Sequence, residues 1–229
     1  MPEDVIVVEQ IRWQGVNECD FPVTPINYHF QPARFYLLTS EQPEPKDKLL
    51  RLVGLLEEPK SGEVLLEGRQ VTGLDPEELA EIRNRKFGFL FSSPFLLPAF
   101  TVLENVAMPL FKIAQVDARQ AKTTTELVLS LVGIMPLVDM PARQLSLLDQ
   151  HLTALARAVV HYPRLLIVQD LGMNLTPDEA SILVQATARI PGRLGTTVIA
   201  TAAPEFDFTG WDVALEIDAN GIKESQPER

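Results

Sequence analysis

Cysteine and histidine are scarce in this sequence, and their scarcity excludes the sites that those residues build. The 229 residues include one cysteine, Cys19, and three histidines. A single cysteine cannot form an intrachain disulfide, and no histidine has a cysteine or carboxylate at the spacing of a metal site. The sequence therefore predicts neither a disulfide framework nor a bound metal.

Basic residues and long apolar runs are lacking as well. The chain has 20 Lys and Arg against 31 Asp and Glu, which gives a formal net charge of −11. An acidic protein repels a phosphate backbone, so no nucleic-acid partner is expected. No uninterrupted apolar run reaches the roughly 20 residues that span a bilayer, and residues 1–4 are acidic where a signal peptide would be basic. These absences predict a cytoplasmic protein.

Short apolar runs alternate with amphipathic segments along the chain, a pattern typical of an α/β protein with a mainly parallel sheet. Strands are predicted at residues 5–8, 35–39, 63–66, 87–91, 165–169, 196–201 and 213–217. Helix starts are indicated by Asp75, which precedes a proline and two glutamates, by a capping-box pattern at Thr101, and by Thr176, which repeats the pattern of a cap followed by proline.

Three further helices follow from apolar periodicity. Residues 115–134 and 146–161 are long amphipathic segments, and residues 49–56 form a short apolar one. The last of these follows a stretch rich in Pro and Glu, residues 41–47, which is a local oddity between a predicted strand and this helix.

Several segments resemble, in order and in spacing, the ATP-binding subunits of ABC transporters. They are Lys46 with residues 49–55 and 59–68, then residues 87–91, 96–98 and 101–106, then Leu145-Ser146, residues 156–158 and 163–166, and Asn174-Leu175. The likeness runs from about residue 35 to the end, and it is nearest to the branch that serves lipoprotein release, macrolide export, cell division and phospholipid traffic.

The resemblance implies an α/β fold of the ABC-type nucleotide-binding domain. That fold has a core sheet like that of P-loop NTPases, an antiparallel β-subdomain and a helical subdomain. It implies a single domain over residues 1–229, with the helical subdomain at approximately residues 94–162. Proteins of this family bind ATP between two subunits and use its hydrolysis to drive membrane permeases.

Residues 40–48 occupy the place of the family's phosphate-binding loop. Glycines in such a loop let successive backbone N–H groups point at the phosphates. Here Pro43 and Pro45 stand at glycine positions, and proline has no N–H to offer. Lys46 keeps its family position, whereas Asp47 replaces the Ser or Thr that would bind magnesium. The loop therefore predicts a weak phosphate site.

Four more positions depart from the family pattern. Gln169 stands where an Asp is associated with the metal, and Asp170 stands where a Glu is the general base. Asp170 is still a carboxylate and could polarise a water molecule, so it is the one remnant catalytic position. Ser92 replaces the glutamine that senses the γ-phosphate, and Ala202 replaces the switch histidine.

The signature segment keeps Ser146 but has Leu147 and Leu148 in place of two glycines. Two leucines at a helix start that faces the second subunit form an apolar patch, so they are predicted to make a dimer contact without ATP. The alternative is that both fold back behind Ser146 as a hydrophobic staple. Trp13 is nearest by count to the adenine-stacking aromatic, but it is predicted to be a core residue.

These losses predict a protein that is not an enzyme: a pseudo-ATPase that docks on a membrane permease or assembly as a structural or regulatory component. ATP and magnesium binding are expected to be weak or absent, so no cofactor is predicted. Two alternatives remain open, a slow ATP-hydrolysing subunit that uses Lys46 and Asp170, and a soluble interaction protein unrelated to transport.

The same reasoning predicts the surroundings of the protein. The expected partners are an integral membrane permease subunit and a second copy of the chain in an ATP-independent homodimer, with no nucleic acid. The expected location is cytoplasmic and peripheral, at the inner face of the membrane.

Overall fold

The computed structural model of the protein describes residues 4–14, 20–202 and 209–225, and Cys19 lies outside these ranges. The strands are β1 (Ile6–Gln14), β2 (Asp20–Phe30), β3 (Phe35–Thr39), β4 (Ser61–Leu66), β5 (Arg69–Gln70), β6 (Phe87–Leu90), β7 (Leu165–Leu171), β8 (Thr197–Ala202), β9 (Val213–Asp218) and β10 (Gly221–Ser225). The α-helices are α1 (Pro43–Val53), α2 (Pro76–Lys86), α3 (Val102–Pro109), α4 (Ala118–Val132), α5 (Leu147–Val159) and α6 (Pro177–Leu194). A π-helical turn, Leu110–Ala114, continues α3.

The strands form two sheets. The main sheet has six strands in the order β10-β9-β3-β8-β7-β6, and all neighbours in it are parallel except β10 and β9. The antiparallel sheet has four strands in the order β2-β1-β4-β5. The central strands β3, β7 and β8 are buried along most of their length, which is why their continuous apolar runs predicted them well.

Sequence reasoning missed three strands, β2, β5 and β10. Each lies at an edge of its sheet, where one side of the backbone needs no partner strand. An edge tolerates polar residues and proline, and β2 contains Pro22 and Pro25, which obscure its strand pattern.

The predicted helix caps are confirmed. The Asp75 carboxylate accepts hydrogen bonds from the N–H groups of Glu77 and Glu78 at the start of α2. Thr101 and Thr176 both form complete capping boxes with a glutamate three residues later. These contacts satisfy N–H groups that have no partner inside their helix.

The predicted start of α1 is wrong. The helix begins at Pro43 instead of residue 49, and it takes in most of the stretch rich in Pro and Glu that precedes the apolar segment. Pro43 is tolerated there because the first helical residues need no N–H donor, and Glu44 is favourable in the first turn next to the positive end of the helix dipole. The apolar part of α1 follows as predicted, and the helix ends at Val53.

Two apolar clusters fill the interior. One packs α3, α4, α5 and α6 against one face of the main sheet, and the other lies between α1, the antiparallel sheet and the other face. Trp13 is buried in the second cluster against Phe21, so the prediction of a core residue is confirmed.

Within the described ranges, none of the helices has the length and apolar character needed to cross a bilayer.

Candidate functional site

The residues singled out in the phosphate loop and in β7 meet at the carboxyl ends of the main-sheet strands. β3 leads into α1, which carries Lys46 and Asp47, and β7 ends with Gln169 and Asp170. Ala202 ends the neighbouring strand β8. Ligands of open α/β sheets bind at this end of parallel strands, where the connecting loops leave a crevice. We call these five residues the strand-end site.

Lys46 is held inside the strand-end site by the backbone of β8. Its side chain is 7% exposed, and Nζ donates a hydrogen bond to the carbonyl oxygen of Ala202 over 2.9 Å. A buried ammonium needs such a partner because desolvation without one is costly. The residue that replaces the switch histidine therefore supplies the acceptor that holds the retained lysine.

Asp47 lies beside a small cavity that it shares with Gln169 and Phe91. Its Oδ1 atom is buried and has no hydrogen-bond partner among the described residues. Burial raises the pKa of the Asp47 carboxyl, the nearby charge of Asp170 raises it further, and Lys46 lowers it. Asp47 is therefore a carboxylate with an unused oxygen, and such an oxygen can bind a cation.

Asp170 is held in an unusual backbone conformation. Its φ of 49° lies in the left-handed region, which Asp tolerates better than bulkier residues. The Asp170 N–H donates to Oγ1 of Thr201 over 2.9 Å, and its carbonyl oxygen accepts from the N–H of Met173. Both contacts fix the position from which its carboxylate could act.

The start of α1 offers few donors to an anion. Pro43 and Pro45 have no N–H, and the Ser40 hydroxyl donates to the carbonyl oxygen of Gln42. This loop can therefore bind a phosphate through the charge of Lys46, but not through a ring of backbone N–H groups.

In the part of the chain that the structure describes, no group of three or more His, Cys, Asp or Glu side chains could hold a metal ion.

The remaining predicted positions lie in the helical part and the loop after β6. Ser146 caps α5: its Oγ accepts from the N–H of Asp149 over 3.1 Å and donates to the Asp149 carboxylate over 2.6 Å. No hydrogen bond in the described ranges joins Ser146 to Lys46. Ser92 is half-buried in the loop that follows β6.

Leu147 and Leu148 have different environments. Leu148 is partly buried and packs against the cluster under α5. Leu147 is 39% exposed. The two leucines therefore differ in burial: Leu148 packs against the interior, and Leu147 presents apolar surface to solvent.

A second candidate site is an exposed surface rich in phenylalanine, which consists of Phe91, Phe95, Leu97 and Phe100. All four side chains are exposed, and Phe95 is 70% exposed with a φ of 46°. Such a φ is a genuine outlier for a bulky aromatic residue, and backbone strain of this kind clusters at functional sites. We call these four residues the phenylalanine surface.

Asn105 and Arg157 hold the phenylalanine surface from below. Asn105 is fully buried; Nδ2 donates to the carbonyl oxygens of Leu97, Phe100 and Thr101, and Oδ1 accepts from the N–H of Leu97 over 2.8 Å. The guanidinium of Arg157 donates to the carbonyl oxygens of Pro94 and Phe95, each over 2.8 Å. Sequence reasoning missed both roles, because their partners are backbone atoms and leave no residue pattern. An Asn amid apolar residues in α3 was the one available signal.

Comparison with known proteins places this geometry among transporter subunits. The family model described as "ABC transporter" matches residues 23–170. The chain is 37% identical over 154 residues to the lipoprotein-releasing system ATP-binding protein LolD of Myxococcus xanthus (strain DK1622), covering 67% of this chain and 68% of that protein. It is 29% identical over 210 residues to LolD 1 of Chlorobium chlorochromatii (strain CaD3), covering 90% and 85%.

Solved structures confirm the predicted fold class. The chain superposes on cbiO1 of Clostridium perfringens, part of an ABC transporter complex, with a TM-score of 0.86 at 17% identity over 98% of this chain and 89% of that one. It superposes on a dimeric ATP-binding cassette in a post-hydrolysis state, bound to ADP and Pi, with a TM-score of 0.80 at 20% identity over 96% and 98%.

These comparisons correct one prediction. The prediction that the protein is not an enzyme is wrong, because the relatives that match across two thirds of the chain or more are named ATP-binding subunits of transporters, a class of ATPases. The prediction was drawn from single replacements at the nucleotide positions. Such replacements show that the site is altered, but they do not show that it has lost its activity.

Proposed function

Because the chain belongs to the ABC transporter family, we propose that it is an ATP-binding subunit of the lipoprotein-release type, docked on an integral membrane permease and hydrolysing ATP slowly. As such a subunit it is peripheral, at the cytoplasmic face of the membrane. The named relatives support the type of subunit. The observation that carries the docking is the phenylalanine surface, held rigidly by Asn105 and Arg157.

The phenylalanine surface has the properties of a preformed protein contact. Exposed aromatic side chains bury much apolar area on binding and lose little conformational freedom. The buried hydrogen bonds of Asn105 and Arg157 fix the backbone that carries Phe95 before a partner arrives, which lowers the cost of association. An apolar helix of a permease matches such a surface.

We expect Phe95→Asp to abolish most of the docking. Tagged wild-type chain should co-purify an integral membrane permease from detergent-solubilised membranes, and the variant should capture about tenfold less, because a charge replaces a central apolar anchor. Val23→Asp is the matched control, since Val23 is 69% exposed and lies on β2 in the antiparallel sheet. Equal loss in both variants, or no permease captured by the wild type, would argue against the docking surface.

Slow hydrolysis follows from the altered strand-end site. Lys46 must leave the carbonyl oxygen of Ala202 before it can bind a phosphate, and Pro43 and Pro45 provide no N–H groups to help. Asp47 and Asp170 fit a magnesium ion, which needs one or two carboxylates in addition to phosphate oxygens, and the unpartnered Oδ1 of Asp47 is available for it. When bound, magnesium supplies charge neutralisation at the phosphates. Weak binding of magnesium-ATP is the expected consequence.

We expect the protein to turn ATP over at less than about 1 s⁻¹, at or below the slow end of the usual range. Lys46→Ala should abolish this turnover, because it removes the one cation retained in the loop. Lys48→Ala is the matched control, since Lys48 lies on the same helix and pairs with Glu57 instead. Phosphate release and calorimetric binding of magnesium-ATP measure the effect. Turnover that survives Lys46→Ala would contradict this use of the strand-end site.

The exposed Leu147 supports a further part of the proposal, an ATP-independent homodimer. In a two-fold dimer Leu147 is buried twice, so its loss counts twice in the free energy of association. We expect Leu147→Ser to raise the dimer dissociation constant at least about tenfold in the absence of nucleotide. Leu127→Ser, at an exposed leucine on α4, is the control. Sedimentation of both variants measures the mass of the particle and the dimer dissociation constant. An unchanged mass for Leu147→Ser would refute the contact.

A further inference from the structure

A cavity of about 180 Å³ lies at the far end of α1 from the strand-end site. Asp47 of the strand-end site and Leu52 of the cavity wall are five residues apart on α1, which is about 7.5 Å along the helix axis at 1.5 Å per residue. The cavity lies where the end of α1, the loop that follows it, the β4–β5 hairpin and α2 come together. None of the five strand-end residues and none of the four residues of the phenylalanine surface lines it, although Leu56 lines both this cavity and the small cavity beside Asp47.

The walls of this cavity are mostly apolar. Leu52, Leu55, Val64 and Val71 are buried and face it, and the exposed Leu56 lies at its mouth. The cavity can hold about one aromatic ring, since an apolar cavity of about 150 Å³ binds benzene. An apolar body of that size is therefore what the walls accommodate.

One wall carries a cation with unused donors. Arg83 lines the cavity from the last turn of α2, and its Nη1 donates to the carbonyl oxygen of Leu55 over 2.7 Å. Within the described residues this is its one hydrogen bond, and no carboxylate lies within ion-pair distance of it. A guanidinium has five N–H donors in a planar fork that matches a carboxylate, so four remain available.

The acidic residues at the cavity do not cancel this cation. Glu57 is bound by Lys48 and by Arg51, which hold the pKa of its carboxyl below the usual value, so its charge is compensated. Glu58 is exposed at the rim, where solvent screens it. Arg83 is thus the cation of the lining that no carboxylate pairs with.

We propose that this cavity binds a small apolar carboxylate, with its hydrocarbon body against Leu52, Val64 and Val71 and its carboxylate on Arg83. The apolar walls select the ring-sized or branched body, and the guanidinium selects the anion. The residues that would hold this acid, Arg83 and the apolar wall, belong neither to the strand-end site nor to the phenylalanine surface.

Benzoate is the probe for this proposal, and benzyl alcohol is its neutral counterpart. We titrate each into the full chain, up to about 20 mM and at constant ionic strength, and follow the methyl signals of Leu52, Val64 and Val71 by NMR. Saturable shifts with a benzoate dissociation constant in about the millimolar range are expected, as is usual for a ligand of this size. Benzyl alcohol should bind at least about tenfold more weakly.

Two variants and one control complete the test. Arg83→Met should weaken benzoate at least about tenfold, and Arg85→Met should leave it unchanged, because Arg85 is exposed on the same helix and pairs with Glu81. Leu79→Trp places an indole in the cavity while the Arg83 side chain itself is kept, and it should abolish binding even if Arg83→Met fails to fold. Absent saturation, equal binding of benzyl alcohol, or binding that survives Leu79→Trp each overturns the proposal.

Discussion

Replacing Asn105 by alanine is expected to lower the free energy of unfolding by about 3 kcal/mol and the midpoint of thermal unfolding by roughly 6 to 12 °C. The side chain is fully buried, and it is the common partner of one N–H and three carbonyl oxygens between Leu97 and Thr101. The variant leaves the Leu97 N–H without its partner, whereas each of the three carbonyl oxygens keeps a backbone N–H donor. An unmade buried hydrogen bond costs about 1 to 3 kcal/mol, and the cavity left by the buried side chain adds to this cost.

The same change should also impair docking, because the phenylalanine surface depends on this backbone. Denaturant unfolding measures the loss of stability, and hydrogen exchange at the Leu97 amide reports the release of the segment. Asn84→Ala is the matched control, since Asn84 is exposed on α2, and it should change stability by less than about 0.5 kcal/mol. Unchanged protection at Leu97 in Asn105→Ala would show that other contacts hold the segment.

Gly88→Ala is expected to have the largest effect on the fold, a loss of about 4 kcal/mol or more. A Cβ atom at Gly88 would lie 2.1 Å from the carbonyl oxygen of Ala158 and 2.9 Å from its carbonyl carbon. Both are backbone atoms, so β6 and the end of α5 have to move apart. That displacement also disturbs β7, which pairs with β6 and carries Asp170.

Gly192→Ala is the control for Gly88→Ala. Nothing lies within 4 Å of a Cβ at Gly192, which is exposed in α6. Alanine there should stabilise the protein by about 0.5 to 1 kcal/mol, because it restricts the unfolded chain and favours the helix. Both variants are compared by chemical denaturation. A stability for Gly88→Ala close to that of the wild type would mean that α5 can shift away from β6 at little cost.

A structural feature can be predicted from the sequence when it depends on residues that are close together in the chain. The central strands and the caps of α2, α3 and α6 are local patterns, so they were predicted at nearly their observed positions. The missed strands β2, β5 and β10 have no such pattern, because each lies at a sheet edge and one side of its backbone faces away from the sheet. The start of α1 was misplaced because the apolar run begins only at residue 49, whereas the first turn of the helix consists of polar residues and proline, which is common at the first position of a helix.

The candidate sites divide in the same way. The sequence by itself determined the α/β class, the family and the identity of every residue in the strand-end site, because these depend on residue order and spacing. The bond between Lys46 and Ala202 joins residues 156 positions apart, and the bond between Arg157 and Phe95 joins residues 62 positions apart. Only the tertiary structure decided these contacts, the exposure of Leu147 and the cavity beside Arg83, since a carbonyl oxygen accepts a hydrogen bond whatever its side chain, and a cavity depends on how separate elements pack.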